Sequence, residues 1–129
     1  MADEVPAFTR PGAFAASELV LDLFYTATKF YQLDLEAIWI LMVIGHETMR
    51  PWILDPTLAP KHMTDARVPD SVRGSISRLM VSDRTGLPRE TVRRRIAELS
   101  AVGLVTADEK GNVRLTGDNV FSVNGDPAK

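Results

Sequence analysis

The sequence contains no cysteine and only two histidines. Without thiols neither a disulfide framework nor a thiolate zinc site can form, which points to a reducing, cytoplasmic setting. His46 is followed by Glu47, Thr48, Met49 and Arg50, so the second histidine of a zinc-protease helix is missing, and His62 stands alone. A glycine-rich phosphate loop is lacking as well. The chain therefore reads as a non-enzyme with no metal and no cofactor. Long hydrophobic runs are also absent: the longest, 37–44, is far too short to cross a bilayer, so no membrane is expected as a partner. The opening residues, MADEVPAFTRPGAF, are acidic and broken by Pro6, Pro11 and Gly12, the wrong order of features for a secretory signal.

What is present is ordinary globular material. The 129 residues are 45% hydrophobic and 25% charged, enough for one domain with its own core. A net charge of −2 argues weakly against a polyanionic partner, but its distribution argues for one. Between Arg73 and Arg114 nine cations stand against five acids, a net +4, while the rest of the chain carries −6. Such an asymmetry is expected when one face meets a polyanion and another does not.

Residues 1–16 read as a tail. Ser17 is expected to cap an amphipathic helix in which Val20, Leu23, Phe24, Ala27, Phe30 and Tyr31 recur at helical spacing to about Gln32. Asp34 caps a second helix, 35–49, apolar on every side in its middle and hence buried all round. Prolines 51, 56, 60 and 69 break up 50–72, which reads as a long connection with one helical turn near 57–63. Beyond it the punctuation sharpens. Ile76 lies in a short extended segment, Ser77 caps a helix to about Thr85, and Gly86 makes the turn. Pro88 opens a helix to about Ala101, and Gly103 stops it. LVTA and VRLT flank DEKGN as a hairpin, and 117–129 revert to tail composition.

With Val92 at the centre of one face of the arginine-rich helix, Ile96 and Leu99 fall within about 45° of it. Glu90, Arg94 and Ala97 point away, with Thr91 and Arg93 at the flanks. Glu90 and Arg94 are also spaced i, i+4, which alone stabilises an exposed helix by about 0.2–0.5 kcal/mol. Ser82, Gly86 and Val92 supply what two steeply crossing helices need: a small residue at the crossing, a glycine in the turn and an aliphatic lock.

The segment SISRLMVSDRTGLPRETVRRRIAELSAVGLV, with the hairpin LVTADEKGNVRLT behind it, resembles the winged helix-turn-helix of bacterial transcription regulators. It is broadly similar to the multiple-antibiotic-resistance and gluconate-repressor families, well over 75–116 and loosely over 34–116. Arg95 departs from the pattern, standing where those families carry an apolar or small residue, so it must snorkel outward or pair with an acid. The resemblance implies a mainly α fold with a small β-hairpin: 1–33 as tail and N-terminal helix, 34–116 as the winged helix-turn-helix, and 117–129 as C-terminal tail. It further implies sequence-specific binding of double-stranded DNA, with helix 88–101 in the major groove and hairpin 104–116 as the wing. Arg89 and Arg94 then read guanine, Glu90 accepts from cytosine, and Arg78, Arg84, Thr91 and Arg93 hold phosphates. Lys110 and Arg114 are the wing contacts. A single module buries little DNA, so a homodimer through residues around Val20 to Tyr31 is expected. The same arginine face also suits a winged-helix module for an acidic protein or RNA. A small-molecule effector is compatible with the chain, but no residue demands one.

Overall fold

Pro11 decides where the first helix starts. In a first turn its missing N–H has no helical partner to lose, so α1 spans Thr9–Phe30 and begins well before the Ser17 cap that the spacing predicts. Ser17 lies inside α1, its hydroxyl donating to the Phe14 carbonyl at 2.9 Å. At the other end Gln32 turns left-handed, at φ 54°, and the Leu33 N–H reaches the Ala27 carbonyl at 3.2 Å. The computed structural model describes residues 4–65 and 68–117, so the predicted C-terminal tail lies almost wholly outside the described residues. The chain divides into two compact units, one holding α1 and the other Asp34–Val120.

In the second unit the helices are α2 (Leu35–Ile53), α3 (Ala59–His62), α4 (Arg78–Thr85) and α5 (Arg89–Ala101). A hairpin of β1 (Val105–Ala107) and β2 (Val113–Leu115) follows. The unit is thus mainly helical with a small antiparallel hairpin, in the register Val105↔Leu115, Thr106↔Arg114, Ala107↔Val113. Ile76 adds a bridge on the far side of β2, exchanging two backbone hydrogen bonds with Val113 at 2.9 and 2.8 Å. No helix among the described residues is long and apolar enough to cross a membrane.

The apolar middle of α2 makes it the central element. Ile38, Ile40, Leu41 and Ile44 are buried and α2 packs on α4, α5 and β2, but Trp39 (47% exposed) and Met42 (38%) are not covered, so the helix is not buried all round as its composition predicts. Thr48 nails β2 to it: its hydroxyl donates to the Ile44 carbonyl at 2.8 Å and accepts the Leu115 N–H at 3.1 Å. Contrary to the expected stop at Met49, α2 runs through Pro51 to Ile53. The proline forgoes only the bond to the Glu47 carbonyl, and the backbone of Gly74 packs against that oxygen, with the Gly74 N–H bonded to the Thr48 carbonyl at 2.9 Å.

The proline-rich connection is held by short-range devices. Asp55 Oδ1 accepts the Thr57 and Leu58 N–H groups at 2.8 and 3.1 Å. Buried Trp52 meets His62 edge-on at 6.4 Å, and His62 Nδ1 lies 2.8 Å from Asp65 Oδ2. The single helical turn expected near 57–63 is α3. Arg73, counted above with the basic segment, is buried: its Nη2 donates to the Leu115 carbonyl at 2.5 Å and its Nη1 to Asp70 at 3.1 Å. It anchors the end of β2 and adds little to the surface charge.

Arg95 finds acids. Nη2 lies 2.6 Å from Asp34 Oδ2 and 2.9 Å from Glu36 Oε1, and Nη1 lies 3.1 Å from Glu98. Asp34 also caps α2, its Oδ1 accepting the Ala37 N–H at 2.9 Å, so one carboxylate joins the start of α2 to α5. The hydrogen bond to Glu36 outweighs desolvation and raises Arg95 above its ordinary range.

Candidate functional site

The turn between α4 and α5 is built by its own residues. Ser77 caps α4, its hydroxyl oxygen accepting the Met80 N–H at 3.1 Å. Gly86 ends the helix at φ 74°, a left-handed conformation that glycine adopts without cost, and its N–H reaches the Ser82 carbonyl at 2.8 Å. The Ser82 hydroxyl donates to the Leu87 carbonyl at 2.6 Å, so this small residue both permits the crossing and satisfies the turn. Pro88 is the N-cap of α5 rather than its first residue; its carbonyl accepts the Val92 N–H at 3.0 Å. The helix read as 88–101 is therefore Arg89–Ala101.

Val92, Ile96 and Leu99 are buried, as the spacing predicts. Arg89, Glu90, Arg93 and Arg94 are exposed, with Thr91 half-buried at the opposite flank from Arg93. The pairing of Glu90 differs from the i, i+4 expectation. It bonds Arg93 in bidentate fashion, Nε to Oε2 at 3.0 Å and Nη2 to Oε1 at 2.5 Å, because Arg93 reaches back one turn along the same flank. Arg93 thereby holds the Glu90 carboxyl below the usual carboxylate range, first by hydrogen bonding and then by its charge, so Glu90 is ionised at neutral pH. Among the described residues no side-chain hydrogen bond or ion pair engages Arg89 or Arg94, although the charge of Arg94 also helps to lower Glu90.

The other cations are distributed unevenly. Arg78 donates to the Gly111 carbonyl at 2.7 Å, tying the start of α4 to the hairpin turn. Arg84 is paired with Glu47 of α2, which also takes Arg50 Nε at 3.0 Å. Burial pushes Glu47 up, yet the hydrogen bonds from Arg84 and Arg50 prevail and lower it. That stabilisation is complete above the unfolded-state value and is lost as pH falls through the lowered folded one. Arg84 is thus spent on the α2–α4 junction and stands apart from the other expected phosphate holders.

The structure brings Arg78, Arg89 and Arg93 together around a shallow cleft of about 240 Å³, together with Leu79, which the sequence reading passed over. Its only signal in sequence is an apolar residue in the first turn of α4, off the face of buried Val81. Lys110 and Arg114 line a separate open cleft on the hairpin with Ser75, Asp108, Glu109 and Asn112. Asp108 shapes that turn by accepting the Lys110 and Asn112 N–H groups at 2.9 and 3.0 Å. Lys110 is exposed at the tip beside Glu109, and Arg114 Nη1 reaches the Asp70 carbonyl at 3.4 Å.

What the arrangement offers chemically is a helix N-terminus where Arg89, without a side-chain hydrogen bond among the described residues, is flanked by Arg78 and Arg93 that are held in place, with Arg94 five residues further along α5. Arginine presents a planar fork of donors suited to phosphate and to the O6/N7 edge of guanine. Among the described residues no group of three or more histidine, aspartate or glutamate side chains is arranged to hold a metal ion. No protein-family model matches the chain, and no curated protein or solved structure does either.

Proposed function

We propose that this chain is a cytoplasmic transcription regulator that binds double-stranded DNA sequence-specifically through a winged helix-turn-helix. In this reading α4 and α5 are the helix pair, α5 enters the major groove, and the β1–β2 hairpin is the wing. The carrying observation is that Arg94 projects from the side of α5 opposite buried Val92 while Arg89 is exposed as the first residue of the helix, and that neither makes a side-chain hydrogen bond or ion pair among the described residues. A helix of this length is about 20 Å long and fits a major groove about 12 Å wide. Arg89 and Arg94 read bases; Arg93 and Arg78 hold phosphate from positions set by Glu90 and Gly111. Thr91, Lys110 and Arg114 are further contacts at the edges, and Arg84 plays a lesser part because Glu47 engages it.

The test is selection from a random duplex library at physiological salt. An enriched motif with two-fold symmetry supports the reading; salt-sensitive retention without enrichment overturns it. A protein- or RNA-interaction module is the second reading, and Asp108 and Glu109 at the hairpin, whose carboxylates repel the phosphate backbone of DNA and RNA alike, favour a protein partner within it. Enrichment from a protein or RNA library, with none from duplexes, selects it.

Two copies on adjacent half-sites complete the reading, joined through α1 around Val20 to Tyr31, where Leu21 is 66% and Tyr25 62% exposed. Light scattering at working concentration is expected to give a dimeric mass; a monomer removes this part.

Glu90→Gln takes away a carboxylate that both repels phosphate and restrains Arg93. Its expected effect is several-fold tighter binding to random duplex with weaker discrimination at one base pair, read by fluorescence anisotropy. Unchanged affinity on both probes leaves Glu90 with helix stabilisation alone.

A further inference from the structure

We infer that Leu79 is a specificity-determining residue that packs against the C5 methyl group of a thymine; this rests on the duplex-binding reading above. Leu79 is 45% exposed in the first turn of α4, in a cleft whose remaining lining is Arg78, Arg89 and Arg93. An exposed leucine is unremarked on most surfaces, but three guanidiniums around it restrict what can cover it. A second copy of the same face would bring arginines against arginines, so the covering group must present apolar surface beside negative charge.

Two of the three arginines are committed elsewhere. Arg78 is turned to the Gly111 carbonyl at 2.7 Å, and Arg93 to Glu90 at 2.5 and 3.0 Å. Neither guanidinium is free to fold over the leucine, which leaves an apolar floor and one unengaged cation, Arg89. A ligand matching that pair carries one apolar group a short distance from one anionic group. In the major groove a thymine presents its methyl at the edge nearest its own backbone, next to a phosphate. Arg89 takes the phosphate or a neighbouring guanine, and Leu79 takes the methyl.

Deoxyuridine tests this directly, because it removes only the methyl. Each thymine of the selected duplex is replaced by deoxyuridine in turn, and binding of wild type, Leu79→Ala and Leu79→Met is measured by anisotropy. At one thymine per half-site, the wild type is expected to weaken about four-fold, the weight of one buried methyl. Leu79→Ala is expected to bind the thymine duplex more weakly and to be indifferent to the replacement, and Leu79→Met to retain the penalty. Leu79 is exposed on a short helix, so circular dichroism of the alanine variant should match wild type. The inference fails if every replacement is neutral in the wild type, or if Leu79→Ala keeps the full penalty. Motif enrichment with no deoxyuridine effect overturns this inference alone, whereas no duplex binding at all overturns the functional reading with it.

Discussion

Replacing Arg89 and Arg94 together by alanine is expected to weaken binding to the selected duplex by about 2–6 kcal/mol, ~30-fold at the least. A bidentate contact to a base is worth about 1–3 kcal/mol. The two residues lie five apart on α5, about 7.5 Å along its axis, so their contributions should be close to additive. Neither arginine makes a side-chain hydrogen bond or ion pair among the described residues, and both are exposed, so the loss is expected to come from the complex rather than from a damaged helix. Affinity for random duplex should fall much less. The single variants divide the roles: a base-reading arginine loses preference at one position, while a phosphate-holding one loses affinity equally on every sequence and flattens the salt dependence by about one unit. Equal losses on selected and random duplex would reassign both residues to the backbone.

Gly74→Ala is expected to cost about 2–3 kcal/mol of folding stability, read as a lowered Tm and denaturation midpoint. The Gly74 backbone lies against the last turn of α2, where Pro51 replaces an N–H donor and the Glu47 carbonyl faces outward. A methyl group there would be driven into that carbonyl oxygen and would stand 2.9 Å from Pro51 Cγ and 3.1 Å from Pro51 Cδ. The obstacles are a backbone atom and a ring within a helix, neither of which can swing aside. Any shift of Gly74 also strains its N–H bond to the Thr48 carbonyl and the neighbouring Arg73 contact to Leu115. Gly12→Ala is the control, since a methyl there has no neighbour within 4 Å and its helical position favours alanine. A loss below about 0.5 kcal/mol at Gly74 would show that the α2 end yields more readily than this packing requires.

The helix pair was readable because its signals are local. Ser77, Gly86 and Gly103 act within a few residues of themselves, and the burial of Val92, Ile96 and Leu99 follows from helical periodicity alone. The same locality misplaced two boundaries. Pro11 and Pro51 read as breakers, yet a first turn has no bond for the proline to lose, and the last turn of α2 forgoes only one.

The candidate site divides along the same line. The exposure of Glu90, Arg93 and Arg94 follows from the face that α5 must bury, whereas Arg89, seven residues before buried Ile96, is exposed because it is the first residue of the helix. Which arginines are unengaged does not follow. Arg84 meets Glu47 across 37 positions, Arg78 meets Gly111 across 33, and Arg95 meets Glu36 across 59. No periodicity links such positions, so the clefts, the exposure of Leu79 and the burial of Arg73 emerge only when the elements pack. Local backbone chemistry and side-chain pattern thus determined the order of the elements, the face α5 buries and the place of its turn. Tertiary packing decided which charges are consumed in holding α2, α4, α5 and the hairpin together and which are left for a partner, because ion pairs form between whatever side chains the closed core brings within reach.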